Sequence, residues 1–404
     1  MIQVGPFPGA ASFPQFRSHA AMGPASRPDT ARSARAGSRR PLLLTALLAA
    51  GLQALQPAAA LAAPAAAAAS GSGGSVKPEA PYTTLSHPGP CNASTAQALG
   101  EGMYVMVDNQ AGPAVPLRLY RAGVAGPVLG RGEIPAQAVD PVADAHPALD
   151  LEASTRIGPL VYWIGSHGAA RGQGDQGEIR PNRRRLFATN LGLRAGGEGQ
   201  PIAISVETVG RPYSTLIEDL AADPRYAGFG LAEAATRPDK AAGGLSIEGL
   251  AATPSGSLLI GFRNPTPGGK ALLAPLTNPN AVLAGEKAAF GDPVLLDLGG
   301  LGVRSLERAG ASLLIVAGPA TDGKGSERPS ALYRWSGQFE SEPVRLRRFP
   351  PQNGVPLNPE ALVVEGNGLS LLSDDGSLRI NGKACQDLPA DQQRFREMRI
   401  TPLP

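Results

Sequence analysis

The chain has little cysteine and histidine, the residues from which zinc sites are usually built. Only 2 of its 404 residues are cysteine and 4 are histidine. His87, His146 and His167 are isolated and show no close ligand spacing, so the sequence does not predict a zinc site. Aromatic residues make up only 5%, but a hydrophobic content of 42% is enough to fill a core. We therefore expect the ordered part to be globular.

The sequence also lacks a strong excess of one charge outside its N-terminal segment. The formal net charge is +3, from 37 basic and 34 acidic residues. Six of the basic residues but only Asp29 among the acids lie in residues 1–62, so the remainder holds 31 basic and 33 acidic residues. A nearly neutral domain gives no electrostatic reason to expect nucleic-acid binding.

No apolar run is long enough to span a bilayer. The longest notable one, Leu42 to Leu55, has fourteen residues and ends at Gln56-Pro57, whereas a spanning helix needs about 20. This run follows Arg39-Arg40 and precedes the small-residue segment Ala60-Leu61-Ala62. The pattern predicts an export signal over residues 1–62, of the Sec or twin-arginine type, and no membrane span in the mature protein. The predicted location is periplasmic or extracellular.

Residues 63–85 are predicted to be a low-complexity linker, because they contain an Ala-rich stretch and the run Ser70-Gly71-Ser72-Gly73-Gly74-Ser75. Such a composition buries too little apolar surface to fold by itself. The globular domain is then expected over residues 86–404. Cys91 and Cys385 both lie in the exported part, so they are predicted to form one disulfide; two separate thiols are the alternative.

A short motif recurs along this domain, and each copy is followed about nine residues later by a compact apolar strand. The acidic copies centre on Glu152, Glu248 and Glu360, and a fourth copy has Arg304 instead. The steps from Glu248 to Arg304 and from Arg304 to Glu360 are both 56 residues. A period of this length, with three to four short strands per unit, is typical of a β-propeller blade.

The strand pattern predicts an all-β fold, a β-propeller of five blades. The segment from Glu152 to Glu248 is about 40 residues longer than the other steps and contains a helical pattern from Ser214 to Ala222. We expect a helical insertion at about residues 207–242. Six blades, one of them degenerate, is the alternative.

Several strings of this domain resemble a family of exported bacterial proteins known as DUF family 3616. They include Tyr162-Trp163-Ile164-Gly165-Ser166-His167, Arg180-Pro181-Asn182-Arg183-Arg184-Arg185, Ile247-Glu248-Gly249-Leu250-Ala251 and Leu332-Tyr333-Arg334-Trp335. The resemblance covers residues 90 to 400 approximately. It implies a propeller-like fold and no particular activity.

If each repeated motif opens the innermost strand of a blade, the marker residues share one face around a central channel. The candidate ligand-binding residues on that face are Glu152, Glu248, Arg304, Glu360, Arg183, Arg185, Arg263 and Asn264. Arginine side chains suit phosphate or carboxylate ligands. The alternative is that the arginines straddle a strand and half of them point to solvent.

Glu152, Glu248 and Glu360 are also candidate ligands for Ca²⁺, which prefers oxygen ligands. The alternative is that these acids hold backbone amides in a structural role. Glu248 and His167 are the candidate catalytic residues, with His167 as a general base; a capping or core role is the alternative for this histidine.

These patterns leave three classes of function open, and they do not decide whether the protein is an enzyme. The first is a binding protein for a small anionic or polar ligand at the channel mouth. The second is a hydrolase of phosphoesters, esters or lactones, assisted by calcium. The third is a scaffold that uses its outer surfaces for protein contacts.

Overall fold

The computed structural model describes residues 81–404, apart from residues 109–111, 113, 198–199 and 323–326. The predicted export signal and most of the predicted linker therefore lie outside the described residues. The described part is built mainly of short β-strands, and the all-β propeller prediction is confirmed. None of its helices is long and apolar enough to cross a membrane.

Within the described residues, the strands form five four-stranded antiparallel units, here called blades 1 to 5. A first short strand, β1 (Leu85–Pro88), precedes blade 1 and belongs to blade 5. Blade 1 consists of β2 (Ala93–Gly100), β3 (Met103–Asp108), β4 (Val115–Arg121) and β5 (Gly130–Ile134). Blade 2 consists of β6 (Leu151–Ile157), β7 (Leu160–Gly165), β10 (Leu186–Arg194) and β11 (Ile202–Tyr213), with the two-residue strands β8 (Ala170–Arg171) and β9 (Gly177–Glu178) in between.

Blades 1 and 2 are joined into one eight-stranded sheet by a short parallel pairing of their outer strands, β5 and β11. Blade 3 consists of β12 (Ser246–Ala252), β13 (Leu258–Asn264), β14 (Ala271–Leu276) and β15 (Val294–Leu296). Blade 4 consists of β16 (Gly302–Ala309), β17 (Ser312–Gly318), β18 (Ser330–Trp335) and β19 (Val344–Phe349). Blade 5 consists of β20 (Pro359–Glu365), β21 (Gly368–Ser373), β24 (Arg394–Ile400) and β1, and the hairpin of β22 (Arg379–Ile380) and β23 (Lys383–Ala384) precedes β24.

Three helical elements lie one after another between β11 and β12, within the predicted insertion. They are α1 (Leu216–Ala222), a 3-10 turn (Pro224–Phe229) and α2 (Leu231–Ala234). Residues 207–213 of the predicted insertion belong instead to β11, which runs to Tyr213. A third helix, α3 (Pro279–Leu283), joins β14 to β15, and short 3-10 turns occur at Ala136–Ala138, Pro181–Arg183, Pro267–Gly269 and Cys385–Asp387.

Five apolar clusters fill the spaces between neighbouring blades, one cluster for each neighbouring pair. Strand β13 shows how one strand serves two of them. Leu258 and Ile260 pack towards blade 2 and α1, whereas Leu259 packs towards blade 4. Because successive side chains of a strand point to opposite faces, a strand that is buried on both faces needs a continuous apolar run.

Two contacts join the N-terminal end of the described chain to its C-terminal blade. Strand β1 pairs antiparallel with β24, so the first strand completes the last blade. Cys91 and Cys385 form the predicted disulfide across a sequence separation of 294 residues. The disulfide is consistent with an oxidising compartment.

Candidate functional site

The innermost strand of every blade contains a one-residue β-bulge at the position of the repeated motif. In β12, Ile247 pairs with Phe262 and Gly249 with Gly261, so Glu248 has no partner in the register. A bulge leaves its extra residue unpaired and redirects the side chain. The bulged residues, called here the bulge ring, are Ser94, Glu152, Glu248, Arg304 and Glu360.

Glycine at the start of β16 allows the blade backbones to approach each other at this ring. A Cβ atom at Gly302 would lie 1.9 Å from the carbonyl oxygen of Arg263. Any larger residue would therefore push apart β16, which carries Arg304, and β13, which carries Arg263. The short bulge motif and this close approach together bring the two arginines to the same acid.

Arg304 lies between two acids of the bulge ring. Its Nε atom is 2.9 Å from Oε2 of Glu248, and its Nη2 atom forms an ion pair with Glu360. Arg263 donates from Nη1 to Oε1 of Glu248 at 3.0 Å. The guanidinium of Arg304 thus fills the place between Glu248 and Glu360 that a bound cation would take. Among the described residues, no group of three or more histidine, cysteine, aspartate or glutamate side chains is arranged to hold a metal ion.

A second set of ion pairs lies beside the first, on the blade 2 side. Nη1 of Arg183 is 3.1 Å from Oδ2 of Asp150 and 3.2 Å from Oδ2 of Asp239. Asp239 comes from the segment that follows α2, so the helical insertion contributes directly to the site. Burial, followed by the negative charge of Asp150, raises the pKa of Asp239.

The acids of the site have environments that move their pKa values in opposite directions. Burial, followed by the negative charges of Asp150 and Glu248, raises the pKa of Glu152 well above its ordinary value. Burial also opposes ionisation of Glu248, but Arg304 and Arg263 more than compensate and hold its pKa below the usual range. Glu152 therefore keeps its proton to a higher pH than Glu248 does.

Three adjoining cavities open at this end of the channel, and we call them the mouth cavities. The inner one has a volume of about 90 Å³ and is bordered by Asp150, Glu152, Arg183, Asp239, Lys240, Ser246, Glu248, Arg263, Glu360 and Asp374. The second, of about 200 Å³, extends towards Ser330 and Asn358, and the third, of about 680 Å³, extends towards Arg171. Because they share lining residues, the three cavities form one polar depression.

Lys240 borders all three mouth cavities. It is exposed, and within the described part of the chain it forms no ion pair, unlike Arg183, Arg263 and Arg304. Its backbone is held firmly, because Asn264 donates from Nδ2 to the carbonyl oxygens on either side, those of Asp239 (3.1 Å) and Ala241 (2.7 Å). The backbone N–H of Asp322 donates to the carbonyl oxygen of Lys240 itself at 2.9 Å.

The structure brings most of the predicted ligand-binding residues to this mouth. Glu152, Glu248, Arg183 and Arg263 border the inner cavity, while Arg304 and Glu360 border the second. Asn264 supports the segment of Lys240 and does not border any of the three cavities. Arg185 likewise does not border them, since its guanidinium donates to the carbonyl oxygens of Val139, Pro181, Arg184 and Asp140.

His167, the candidate general base, lies outside the mouth cavities. It is fully buried with a positive φ of 55°, and its Nδ1 atom is 3.0 Å from the carbonyl oxygen of Gly165. Burial lowers its pKa to about 4. These features agree with the alternative interpretation, in which His167 is a core residue whose ring forms a hydrogen bond at the end of a strand.

Two members of the site carry no pattern that marks them in the sequence. Ser94 occupies the fifth position of the bulge ring, but its motif has neither an acid nor an arginine; its buried Oγ has no hydrogen-bond partner among the described residues. Lys240 lies in the segment that follows α2. Its distance from the channel depends on the path of the helical insertion, which the sequence pattern does not reveal.

Residues 200–368 match the family described as "Protein of unknown function (DUF3616)", which confirms the resemblance inferred from the sequence for this part of the domain. No curated protein matches the chain. An exo-β-1,3-galactanase from Phanerochaete chrysosporium is similar with a TM-score of 0.37 and 6% identity, over 77% of this chain and 60% of that one.

Two further solved structures show the same level of similarity. An exo-β-1,3-galactanase from Clostridium thermocellum has a TM-score of 0.41 and 9% identity, over 76% of this chain and 58% of that one. A mutant Trypanosoma rangeli sialidase displaying trans-sialidase activity has a TM-score of 0.38 and 12% identity, over 76% of this chain and 47% of that one. The chain thus spans only about half to three fifths of the length of these proteins.

Proposed function

We propose that this chain, whose residues 200–368 match the DUF3616 family, binds a small polar ligand with an anionic group at the mouth cavities. The observation that carries the proposal is the position of Lys240. It is the lysine that borders all three cavities, and within the described part of the chain it forms no ion pair, although from a distance its charge opposes the raised pKa values of Asp239 and Asp374 and helps to lower that of Glu248.

The arginines of the site have a different part in this proposal. Arg183, Arg263 and Arg304 are each held by acids at 2.9–3.2 Å or in closer contact. An incoming anion would have to displace one of those acids, which would leave a buried charge without a partner. The ligand's anionic group is therefore assigned to Lys240, and the arginines keep the acids in position.

The remaining lining groups favour hydroxyl-bearing ligands. Ser330, Asn358 and Asp374 border the second cavity. Burial raises the pKa of Asp374, so its carboxyl group has increased capacity to donate as well as accept hydrogen bonds. A cation beside several donors and acceptors fits a polyol that bears a carboxylate or phosphate group.

Isothermal titration of the full-length protein tests the proposal. The probes are glucuronate and glucose 6-phosphate, with glucose and acetate as ligands that lack either the charge or the hydroxyl groups. We expect the two anionic sugars to bind more tightly than glucose or acetate. Replacement of Lys240 by Gln should weaken their binding about tenfold, equivalent to about 1.4 kcal/mol.

Lys270 offers a matched control, because it is an exposed lysine in the loop after β13 and does not border the mouth cavities. Lys270→Gln should leave the affinities unchanged. Equal affinity of Lys240→Gln and the parent protein would refute the role of Lys240, and failure of every anionic probe to bind would refute the proposal as a whole.

A second candidate function is hydrolysis of an ester, lactone or phosphoester bound at the same place. The specific observation is the pair Glu152 and Glu248, which border one cavity and have pKa values displaced in opposite directions. Two such groups are the usual arrangement for acid and base catalysis. Glu152 would act as the acid and donate a proton to the leaving group. Glu248 would be the ionised carboxylate that acts as the base.

Proton release from lactones, alkyl esters and phosphomonoesters, followed in a pH-stat, tests this second candidate. Turnover that disappears in Glu152→Gln and persists in EDTA would support acid–base hydrolysis with Arg304 in the place of a metal. Turnover lost on chelation would support the calcium-assisted form instead. No turnover with any substrate, together with retained binding, would leave ligand binding as the function.

We further propose that the protein acts outside the cytoplasm. The Cys91–Cys385 disulfide supports this location, because disulfides persist mainly in oxidising compartments. Cell fractionation that finds the protein reduced and in the cytoplasm would contradict it.

A further inference from the structure

A separate cavity of about 530 Å³ lies between blades 3 and 4, at the opposite end of the inner strands from the bulge ring. It is bordered by the turn from β12 to β13 and by the turn from β16 to β17. The bulges at Glu248 and Arg304 are at the other ends of β12 and β16. We call this space the interblade cavity, and it is distinct from the mouth cavities.

The wall of the interblade cavity is largely apolar. Leu259, Leu313, Pro254, Pro275 and Trp335 contribute to it. The indole N–H of Trp335 already donates to the carbonyl oxygen of Ser341 at 2.9 Å. The tryptophan therefore presents only a small area of apolar ring to the cavity, because the residue is 1% exposed. A volume of this size and an apolar wall with a few hydroxyl groups are typical of small-molecule sites.

Phe339 stands at the rim of the same cavity and is unusually exposed for its type. Its side chain is 58% exposed, whereas the other large aromatic residue of the wall, Trp335, is 1% exposed. Burial of an exposed phenyl ring is favourable. An apolar molecule in the cavity would cover that ring.

One positive charge stands at the cavity, and the nearby carboxylate of Glu307 accepts a hydrogen bond from the backbone N–H of Arg308 at 3.0 Å rather than from its guanidinium. Among the described residues that line the cavity, Arg308 is the only charged one. Its Nε atom donates to the carbonyl oxygen of Gly310 at 3.0 Å, which fixes the guanidinium beside the turn between β16 and β17. The mouth cavities, in contrast, are lined by acids and bases together. The interblade cavity is thus complementary to a molecule with an apolar body and one negative charge.

We infer that the interblade cavity is a binding site for a small amphipathic anion, in which the apolar body packs on Trp335 and Phe339 and the anionic group pairs with Arg308. The chemical class is an aromatic or aliphatic carboxylate or sulfonate. This inference is independent of the ligand proposed for the mouth cavities, because the two sites share no lining residue.

The fluorescent probe 1-anilinonaphthalene-8-sulfonate has both features, so its binding to the full-length protein tests the inference. The chain has 2 tryptophans, and Trp163 is buried in the core between blades 1 and 2, away from the cavity. We expect saturable 1:1 binding with energy transfer from tryptophan to the probe. Trp335→Phe should remove most of that transfer.

Two single substitutions with matched controls define the site. Phe339→Ala and Arg308→Gln should each weaken binding about tenfold. Val344→Ala is the control for loss of an exposed apolar side chain, since Val344 is 59% exposed and does not line the cavity. Arg379→Gln is the control for loss of charge, because Arg379 is exposed and also donates to a nearby glycine carbonyl, that of Gly382.

Three outcomes would overturn the inference. One is equal binding by the parent, Phe339→Ala and Arg308→Gln. Another is loss of binding in Lys240→Gln alone, which would place the probe in the mouth cavities. The third is absence of saturable binding together with concentration-dependent self-association that Phe339→Ala abolishes, since a second copy of the chain would then be the occupant.

Discussion

Replacement of Glu248 by Gln should destabilise the protein strongly, because it removes the carboxylate that pairs with the buried guanidinium groups of both Arg263 and Arg304. Oε1 and Oε2 of Glu248 lie 3.0 Å and 2.9 Å from Arg263 and Arg304, and the three side chains are at most 11% exposed. Breaking a buried ion pair costs about 3–5 kcal/mol. The amide oxygen of Gln can still accept one hydrogen bond, so we expect a loss of about 3 kcal/mol, near the lower limit.

The same substitution at Glu152 should change the stability in the opposite direction and make the protein more stable. Burial and the neighbouring acids Asp150 and Glu248 raise the pKa of Glu152, so the folded state is penalised once the pH exceeds the pKa of the unfolded chain. Glu152→Gln removes this penalty. Its stability relative to the parent should therefore increase as the pH rises from about 4, the unfolded pKa, towards the raised folded value.

The pH dependence of Glu248→Gln runs the other way. The pKa of Glu248 is lowered in the folded state, so its ionised form stabilises the protein above the unfolded pKa, and that contribution is lost as the pH falls through the folded pKa. The deficit of Glu248→Gln should consequently be largest near neutral pH and shrink in acid.

Thermal denaturation of both variants between pH 3.5 and pH 8, with Glu286→Gln as an exposed control, measures these effects. At neutral pH a loss of about 3 kcal/mol corresponds to a fall in Tm of roughly 4–5 °C for a domain of about 320 residues, because the unfolding entropy is about 2.1 cal/mol/K per residue. Shifts of the same sign and similar size for Glu152→Gln and Glu248→Gln would show that the two acids have equivalent environments and would refute the reasoning.

Three other predictions concern the scaffold. Gly302→Ala should cost roughly 1–3 kcal/mol in a denaturant titration, since the added methyl overlaps a backbone carbonyl of blade 3; an unchanged midpoint would contradict it. Reduction of Cys91–Cys385, which closes a loop with a separation of 294 residues, should cost about 6 kcal/mol in the chain-entropy model, seen as a lower free energy of unfolding when the titration is repeated with reductant. Burial opposes ionisation of Glu397, but hydrogen bonds from His87, Ser370 and the Gly123 backbone hold its pKa below the ordinary value. Glu397→Gln should therefore lower Tm at pH 7, and this deficit should shrink as the pH falls below about 4, the unfolded pKa; a deficit that does not change with pH would count against it.

The repeated motif was the most useful guide in the sequence, and its structural cause is the β-bulge. Each bulge places one residue outside the strand register at the start of an inner strand. A bulged residue that points into the channel is restricted to a few polar types. Glutamate therefore recurs at positions 152, 248 and 360, and the repeat can be recognised in the sequence. The 56-residue steps between Glu248, Arg304 and Glu360 follow because blades 3 and 4, each with the connection to the next blade, have the same length.

The role of Arg304 could not be predicted from its position in the repeat. The motif indicates that an arginine replaces an acid in one copy, but not that its guanidinium contacts the acids of both neighbouring copies. That arrangement depends on the distance across the channel and on the close approach allowed by Gly302. The calcium hypothesis treated the acids as free ligands, whereas Glu248 and Glu360 are already ion-paired with Arg304.

Lys240 could not be identified from the sequence, because the number of residues between it and a motif does not predict where the insertion places it in space. The helical insertion packs α1 into the core between blades 2 and 3, and the segment after α2 then returns over the channel. Asn264 was predicted as a ligand-binding residue from its place at a strand end. Its side-chain donors are instead directed at the carbonyl oxygens of Asp239 and Ala241, which hold Lys240 over the mouth.

A crystal structure of the protein grown with glucuronate tests the central claim most directly. The account predicts electron density for the ligand in the mouth cavities, with its carboxylate within 4 Å of Nζ of Lys240 and the ion pairs of Arg304 with Glu248 and Glu360 intact. Ligand density that engages Arg304 after displacing either acid, or that lies away from Lys240, would contradict it.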